Sequence, residues 1–107
     1  MQDKREEYRV RIHRTGQLRR GSDVAPCELI ELTETGVLVQ SDLHVTIGEA
    51  VDLDFDLTPD CPIHCTILVT HAALPHFGGL ISSISLEHQR HVARFIKQLI
   101  EINLTGF

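Results

Sequence analysis

The stretch that decides the fold is Val51-Asp52-Leu53-Asp54-Phe55-Asp56-Leu57, in which apolar and acidic side chains alternate without a break. Successive side chains of a β-strand point to opposite faces, so one face of this segment is apolar and the other is acidic. Aspartates in this arrangement are expected to form a solvated face, which also discourages pairing between sheet edges. The segment therefore predicts a half-buried strand.

Similar alternation, or a short apolar run, recurs on both sides of this strand. Turn-forming residues separate the runs at positions 15–16, 21–23, 58–62 and 75–79. Arg19 and Arg20 are expected to lie in the first hairpin loop. The predicted strands cover residues 8–12, 27–32, 37–40, 51–57, 63–70 and 80–84.

The period of the apolar residues changes after residue 85. They now recur at the spacing of one helix face, at Val92, Phe95, Ile96, Leu99 and Ile102. Ser85 is a suitable N-cap, and Glu87 is favourable in the first turn. The pattern predicts a helix over residues 86–103 that ends near Gly106.

Several short strands followed by one amphipathic helix indicate an all-β fold, a small antiparallel barrel with a C-terminal α-helix packed on it. The chain has 107 residues, of which 42% are hydrophobic and 23% charged, as expected for one globular domain over residues 1–107. We expect the barrel at residues 8–84 and a flexible, arginine-bearing arm at residues 1–9.

Charge is unevenly distributed along the chain. Residues 1–20 carry a net charge of +4, so the remainder carries −9 of the total of −5. A basic arm on an acidic body indicates a local anion site, while the negative total argues against a nucleic acid polymer as partner. Aromatic residues make up only 5% of the chain, which disfavours stacking on single-stranded nucleic acid. Arg11 and Arg14 are expected to be exterior charges of the first strand.

The sequence gives no sign of export or of a membrane span. It is charged from Asp3 onward, unlike a signal peptide. The longest apolar stretch, residues 67–74, is interrupted by Thr70 and His71 and is too short to cross a bilayer. The 3 cysteines are an odd number, which does not suit a closed set of disulfides. We therefore expect a cytoplasmic protein.

Two short motifs carry functional chemistry: Arg5-Glu6-Glu7-Tyr8-Arg9 and Glu31-Leu32-Thr33-Glu34-Thr35-Gly36. The first sets two arginines four residues apart, just before the first strand. The second ends one strand and opens the next, and it supplies a carboxylate, hydroxyl groups and a glycine. A guanidinium can grip a phosphate or the O6 and N7 edge of guanine, and it can stack on a purine. Together the motifs indicate a site for a planar, anionic ligand.

This pair of motifs resembles the two-part signature of PilZ domains, the bacterial receptors for cyclic di-GMP. That signature is Arg-x-x-x-Arg followed by Asp/Asn-x-Ser-x-x-Gly, on a six-stranded barrel with a C-terminal helix. The resemblance covers essentially the whole chain, although Glu31 replaces the acid or amide and Thr33 replaces the serine. It implies cyclic di-GMP as the ligand, no other cofactor, and an effector protein through which motility or biofilm formation is regulated.

Carried over by position, the resemblance implies that Arg5 and Arg9 contact guanine and phosphate. Glu31 would accept from guanine N–H groups, Thr33 would offer its hydroxyl, and Gly36 would permit a tight turn. Glu31 reaches one methylene further than aspartate, which brings its charge nearer the phosphates and weakens affinity. The alternative function is a PilZ-like protein-interaction adaptor that does not bind the nucleotide, because its second motif is degenerate.

Two other kinds of site receive less support from the sequence. Cysteine and histidine in residues 61–65, joined by His71 and His76, resemble metal ligands, but the spacing is not that of a usual zinc pair. Cys65 and Cys27 are expected to be buried as small hydrophobic residues. No nucleophile lies in a recognisable catalytic motif, so neither a metal site nor an enzyme is predicted.

Overall fold

The computed structural model describes residues 8–105, with side chains to residue 102. Six antiparallel strands are followed by one helix: β1 (Val10–Arg20), β2 (Asp23–Leu32), β3 (Gly36–Ser41), β4 (Ala50–Thr58), β5 (Cys61–Ala73), β6 (His76–Ile84) and α1 (Leu86–Thr105). The strands close into a barrel in the order β1-β2-β3-β6-β5-β4, and β4 pairs back onto β1. The predicted all-β fold, a six-stranded antiparallel barrel with a C-terminal helix, is confirmed.

One apolar core fills the barrel. The alternation that predicted β4 is confirmed, because its apolar side chains are at most 4% exposed: Val51, Leu53, Phe55 and Leu57. Val92 and Ile96 of α1 are buried in the same cluster. The helix therefore packs its apolar face against the barrel and extends the core beyond the strands.

The acidic face of β4 does not lie at a sheet edge. Hydrogen bonds join β4 to β1 on one side and to β5 on the other, so the prediction that its carboxylates protect an edge is wrong. Asp52 instead accepts a hydrogen bond of 2.8 Å from the Thr66 hydroxyl. Asp54 lies 2.7 Å from His64 Nδ1 and 3.7 Å from Arg19 Nη1. These carboxylates link neighbouring strands across the outer surface.

Two glycine-containing segments that were predicted as breaks lie inside strands. Gly16 is in the middle of β1, and residues 78–79 belong to β6. A Cβ atom on Gly16 would lie only 2.7 Å from the Asp54 carbonyl oxygen. Glycine here permits close approach of two backbones instead of forming a turn. Because β1 continues through this point, Arg19 and Arg20 are strand residues and not loop residues.

Helix α1 begins where the sequence predicted. The Ser85 hydroxyl accepts a hydrogen bond of 3.1 Å from the His88 N–H, which confirms the N-cap. The predicted end near Gly106 lies outside the described residues. Over residues 8–105, the structure contains no helix that is both long and apolar enough to cross a membrane.

Polar groups of the barrel also hold the helix. Arg14 was expected to be an exterior charge, but its Nε donates a hydrogen bond of 2.7 Å to the Leu57 carbonyl. Its guanidinium carbon lies 5.6 Å from the centre of the Phe95 ring on α1. His88 Nδ1 on the helix accepts a hydrogen bond of 3.1 Å from the backbone N–H of His64. Arg14 and His88 therefore fix the helix against two different strands.

Two thiols are buried in the barrel, as predicted. Cys27 is 6% exposed and Cys65 is 1% exposed, and both are free. Burial, with a smaller effect of the Glu28 charge, raises the pKa of Cys27 to about 11. Burial, followed by the charges of Asp54 and Asp52, raises the pKa of Cys65 to about 12. Both side chains are neutral thiols in the folded protein at physiological pH.

These shifts predict a loss of stability at alkaline pH. The folded state keeps both thiols protonated, whereas the unfolded chain releases these protons above its own, lower thiol pKa of about 8.5. The stabilising contribution is complete below that value and is lost as pH rises through about 11 and about 12. Urea midpoints measured from pH 8 upward should fall, and the fall should be shallower in the Cys27→Ala/Cys65→Ala variant. Equal slopes in the two proteins would contradict the prediction.

Candidate functional site

A cavity of about 440 Å³ opens on the outer surface of the barrel, where the β2–β3 turn meets β5 and β6. Four of the five predicted site residues line it, namely Arg9, Glu31, Thr33 and Gly36. The fifth, Arg5, lies outside the described residues. The volume is within the range of small-molecule sites in proteins. The structure thus brings together residues that are separated by more than twenty positions in the sequence.

The Glu31 carboxylate lies between two arginines of the first strand region. Its two oxygens are 3.6 Å from Arg9 Nε and 3.7 Å from Arg11 Nε. The arginine side chains are 69% and 82% exposed, whereas that of Glu31 is 18% exposed. Arg11 pairs directly with Glu31 in the β1–β2 ladder, which explains why it joins this cluster. The carboxylate at the end of the longer glutamate side chain therefore has a second ion-pair partner, Arg11, which the sequence did not reveal.

Thr33 builds the turn that forms one wall of the cavity. Its hydroxyl oxygen accepts hydrogen bonds from the backbone N–H of Gly36 at 2.8 Å and of Thr35 at 3.1 Å. The Thr33 N–H donates to the Gly36 carbonyl at 2.9 Å and closes the turn. Serine would make the same bonds, since a hydroxyl accepts two and donates one. The Thr33 hydroxyl also donates a hydrogen bond of 3.4 Å to the Gly36 carbonyl oxygen, so both its oxygen and its proton are engaged within the turn.

Gly36 is required for a different reason from the one predicted. Its φ angle is not in the left-handed region, where the structure places only Gly21 and Gly48 among the described residues. A Cβ atom on Gly36 would instead lie 2.9 Å from the Gly79 carbonyl oxygen. Gly36 allows β3 to approach β6 closely, and it keeps the floor of the cavity free of side chains.

The far wall of the cavity comes from β5 and β6 and was missed in the sequence. Thr70 and His71 lie on β5, and Gly79 and Leu80 lie on β6. They reach the site because β3 pairs with β6 across a crossover of more than thirty residues. The only local signal was the Gly78-Gly79 pair within an otherwise strand-like segment, which can mark close backbone approach.

The comparison with protein families gives a match that spans most of the chain. The family model of the PilZ domain matches residues 3–98. The chain belongs to the PilZ family. PilZ domains are binding domains and not a catalytic family. No curated protein sequence matches this chain.

Solved structures that share the fold of this PilZ domain include the following two. The Bacillus subtilis inhibitor of motility MotI (DgrA) superposes with a TM-score of 0.77 at 16% identity, covering 92% of this chain and 51% of that chain. This chain therefore spans about half the length of the Bacillus protein. The PilZ domain of YcgR from Escherichia coli, solved with cyclic di-GMP, superposes with a TM-score of 0.72 at 11% identity, covering 92% and 93%. At such identities the likeness concerns the fold alone.

The histidines and cysteines of this PilZ domain are dispersed over its surface and core. Cys65 is buried, whereas the side chain of His64 on the same strand is 53% exposed and faces Asp54. Across residues 8–105, the structure brings together no group of three or more His, Cys, Asp or Glu side chains that could share a metal ion.

Proposed function

We propose that this PilZ domain is a cytoplasmic receptor that binds cyclic di-GMP in the cavity between the β2–β3 turn and strands β5 and β6. The observation that supports this most is that Arg9, Glu31, Thr33 and Gly36 line one cavity of suitable size. In the proposal, Arg9 and Arg5 bind the phosphates and the O6 and N7 edge of a guanine. Glu31 accepts from guanine N–H groups.

In the proposal Arg9 exchanges Glu31 for the ligand, and the energies favour this exchange. An exposed ion pair contributes roughly 0.2–1 kcal/mol, and the Arg9 side chain is 69% exposed. A charge-assisted hydrogen bond to a phosphate or guanine contributes about 1.5–3 kcal/mol. The ligand therefore offers Arg9 a stronger partner than Glu31 does.

Arg11 keeps Glu31 neutralised after this exchange. It lies 3.7 Å from the second carboxylate oxygen and is not among the residues that line the cavity. When Arg9 moves to the ligand, Glu31 retains Arg11 as its counter-ion, so that less negative charge faces the phosphates. This arrangement lets a glutamate replace the shorter acid or amide of the family motif.

The bound domain would act through an effector protein. Cyclic di-GMP adds two negative charges to the cavity and engages Arg9, so one surface of the barrel changes in charge and shape. We propose that a partner recognises this changed surface and that the output is regulation of motility or biofilm formation. A pull-down with and without cyclic di-GMP should recover this partner in a ligand-dependent manner.

A second candidate is an adaptor that binds a protein partner without the nucleotide. The pairing of Glu31 with both Arg9 and Arg11 favours it, because the acid already neutralises the cations that a ligand would use. Titration calorimetry with cyclic di-GMP separates the two functions. Saturable heat supports the receptor, and its absence at high micromolar ligand supports the adaptor.

Restoring the family motif should strengthen binding. We expect the Glu31→Asp/Thr33→Ser variant to bind cyclic di-GMP about tenfold more tightly, since its shorter carboxylate lies further from the phosphates. Calorimetry on both proteins measures the ratio. The matched control is Glu28→Asp, the same change at a β2 residue that pairs with His13 outside the cavity. Weaker binding by the restored variant would contradict the prediction.

A further inference from the structure

We propose that His71 is a base-stacking residue of this site, which positions one purine of the ligand against the wall formed by β5 and β6. The inference rests on the proposed binding of cyclic di-GMP and assigns a contact to the wall of the cavity that faces away from the arginines and the β2–β3 turn. The His71 ring borders the same cavity as Arg9 and Glu31 but belongs to a different part of the barrel.

The His71 ring lies across a patch of bare backbone. His71 on β5 pairs with Gly78 on β6. A Cβ atom on Gly78 would lie 2.4 Å from Cε1 and 2.7 Å from Nε2 of the His71 ring. Any other residue at position 78 would push the ring away. Gly78 therefore seats the imidazole against the outer surface of the barrel, where it borders the cavity.

The position of this ring fits a dinucleotide that spans the site. In the barrel order β1-β2-β3-β6-β5, Arg9 lies just before the first of these strands and His71 lies on the last. Cyclic di-GMP has two purines, and the Arg9 side of the cavity offers cations and a carboxylate. The His71 side offers a flat ring beside Leu80, which is 51% exposed. One wall thus binds by charge and hydrogen bonding, and the opposite wall binds by apolar contact and stacking.

The ring nitrogens of His71 are not committed elsewhere. Among the residues with described side chains, none makes a hydrogen bond or an ion pair to this ring, unlike His64, which is held by Asp54 at 2.7 Å. The ring is exposed and is not part of the buried core. An aromatic ring that is seated by a glycine, borders the cavity and lacks a partner is suited to receive a nucleobase.

Calorimetry with cyclic di-GMP on four proteins tests this role. We expect His71→Ala to bind about tenfold more weakly than wild type, as loss of one base-stacking contact predicts. His71→Phe restores a flat ring without nitrogens and should recover most of the affinity. His76→Ala removes an exposed β6 histidine that does not line the cavity, and it should bind like wild type.

The outcomes separate the inference from the proposed function. If wild type binds and His71→Ala binds equally well, the stacking role is overturned while the receptor function stands. If His71→Phe is as weak as His71→Ala, stacking is likewise overturned, because the imidazole nitrogens and not the ring face carry the contact. If wild type shows no saturable binding, both the receptor function and the role of His71 are overturned.

Discussion

Replacing Arg9 by alanine is expected to lower the affinity for cyclic di-GMP by about ten- to a hundredfold. The change removes at least one charge-assisted contact to the ligand, worth about 1.5–3 kcal/mol. It also leaves Glu31 with Arg11 as its one remaining described ion-pair partner, so that the carboxylate repels the phosphates more strongly. Titration calorimetry on the two proteins measures the loss directly.

Arg19→Ala is the matched control for this experiment. Arg19 is also an exposed arginine of the first strand region, but it pairs with Asp54 at 3.7 Å and does not line the cavity. Both substitutions change the net charge by the same amount. Equal losses in the two variants would mean that Arg9 acts through general electrostatic attraction, and they would contradict a direct contact. The same comparison extends to Arg5→Ala, for which the sequence motif makes the same prediction.

Replacing Gly79 by alanine is expected to destabilise the barrel by about 2–3 kcal/mol. The new Cβ would lie 2.1 Å from the Leu68 carbonyl oxygen and 2.8 Å from Ile67 Cγ2. Overpacking of this kind typically costs about 1–3 kcal/mol, and a backbone oxygen cannot rotate aside as a side chain can. Restricting the unfolded chain returns only about 0.4–1 kcal/mol, so the clash dominates.

Urea unfolding of Gly79→Ala beside wild type measures this effect. Ser83→Ala is the control on the same strand, because Ser83 is exposed and its substitution should change the free energy of unfolding by less than about 0.5 kcal/mol. A Gly79→Ala protein as stable as wild type would mean that β5 and β6 separate at little cost. The close approach at Gly79 would then be a local detail and not a requirement of the barrel.

The strands of this barrel were largely predictable because their faces differ in polarity. The alternation in β4 and β5 identified the buried set, and the change of period identified α1. Glycine misled the prediction at Gly16 and at residues 78–79. Gly16 accommodates the Asp54 carbonyl and Gly78 the Val37 carbonyl, both from strands far away in sequence, whereas Gly79 accommodates the Leu68 carbonyl of the adjoining strand. A pattern read along one segment does not contain the position of that partner.

One half of the candidate site could be predicted from the sequence, and the other half could not. The half formed by Arg9 and the β2–β3 turn follows from two local motifs. The half formed by Thr70, His71 and Leu80 depends on the crossover that places β6 between β3 and β5. The pairing of Arg11 with Glu31 also needed the structure, because it results from strand register and not from sequence spacing. Local motifs identified the charged wall, and topology supplied the stacking wall.

The cavity lies outside a closed barrel, so the residues that would determine ligand affinity are different from those that determine the stability of the fold. The side chains of Arg9, Glu31 and His71 lie on the outer surface, whereas the core is made of inward-facing residues of every strand. Substitutions at the three positions should alter ligand affinity with little effect on the folded fraction. Under the proposed function, single mutations at these positions can therefore tune, remove or restore nucleotide binding while the fold persists. Glu31 and Thr33 both lie on this outer surface, so the departures from the family motif at these positions leave the core unchanged.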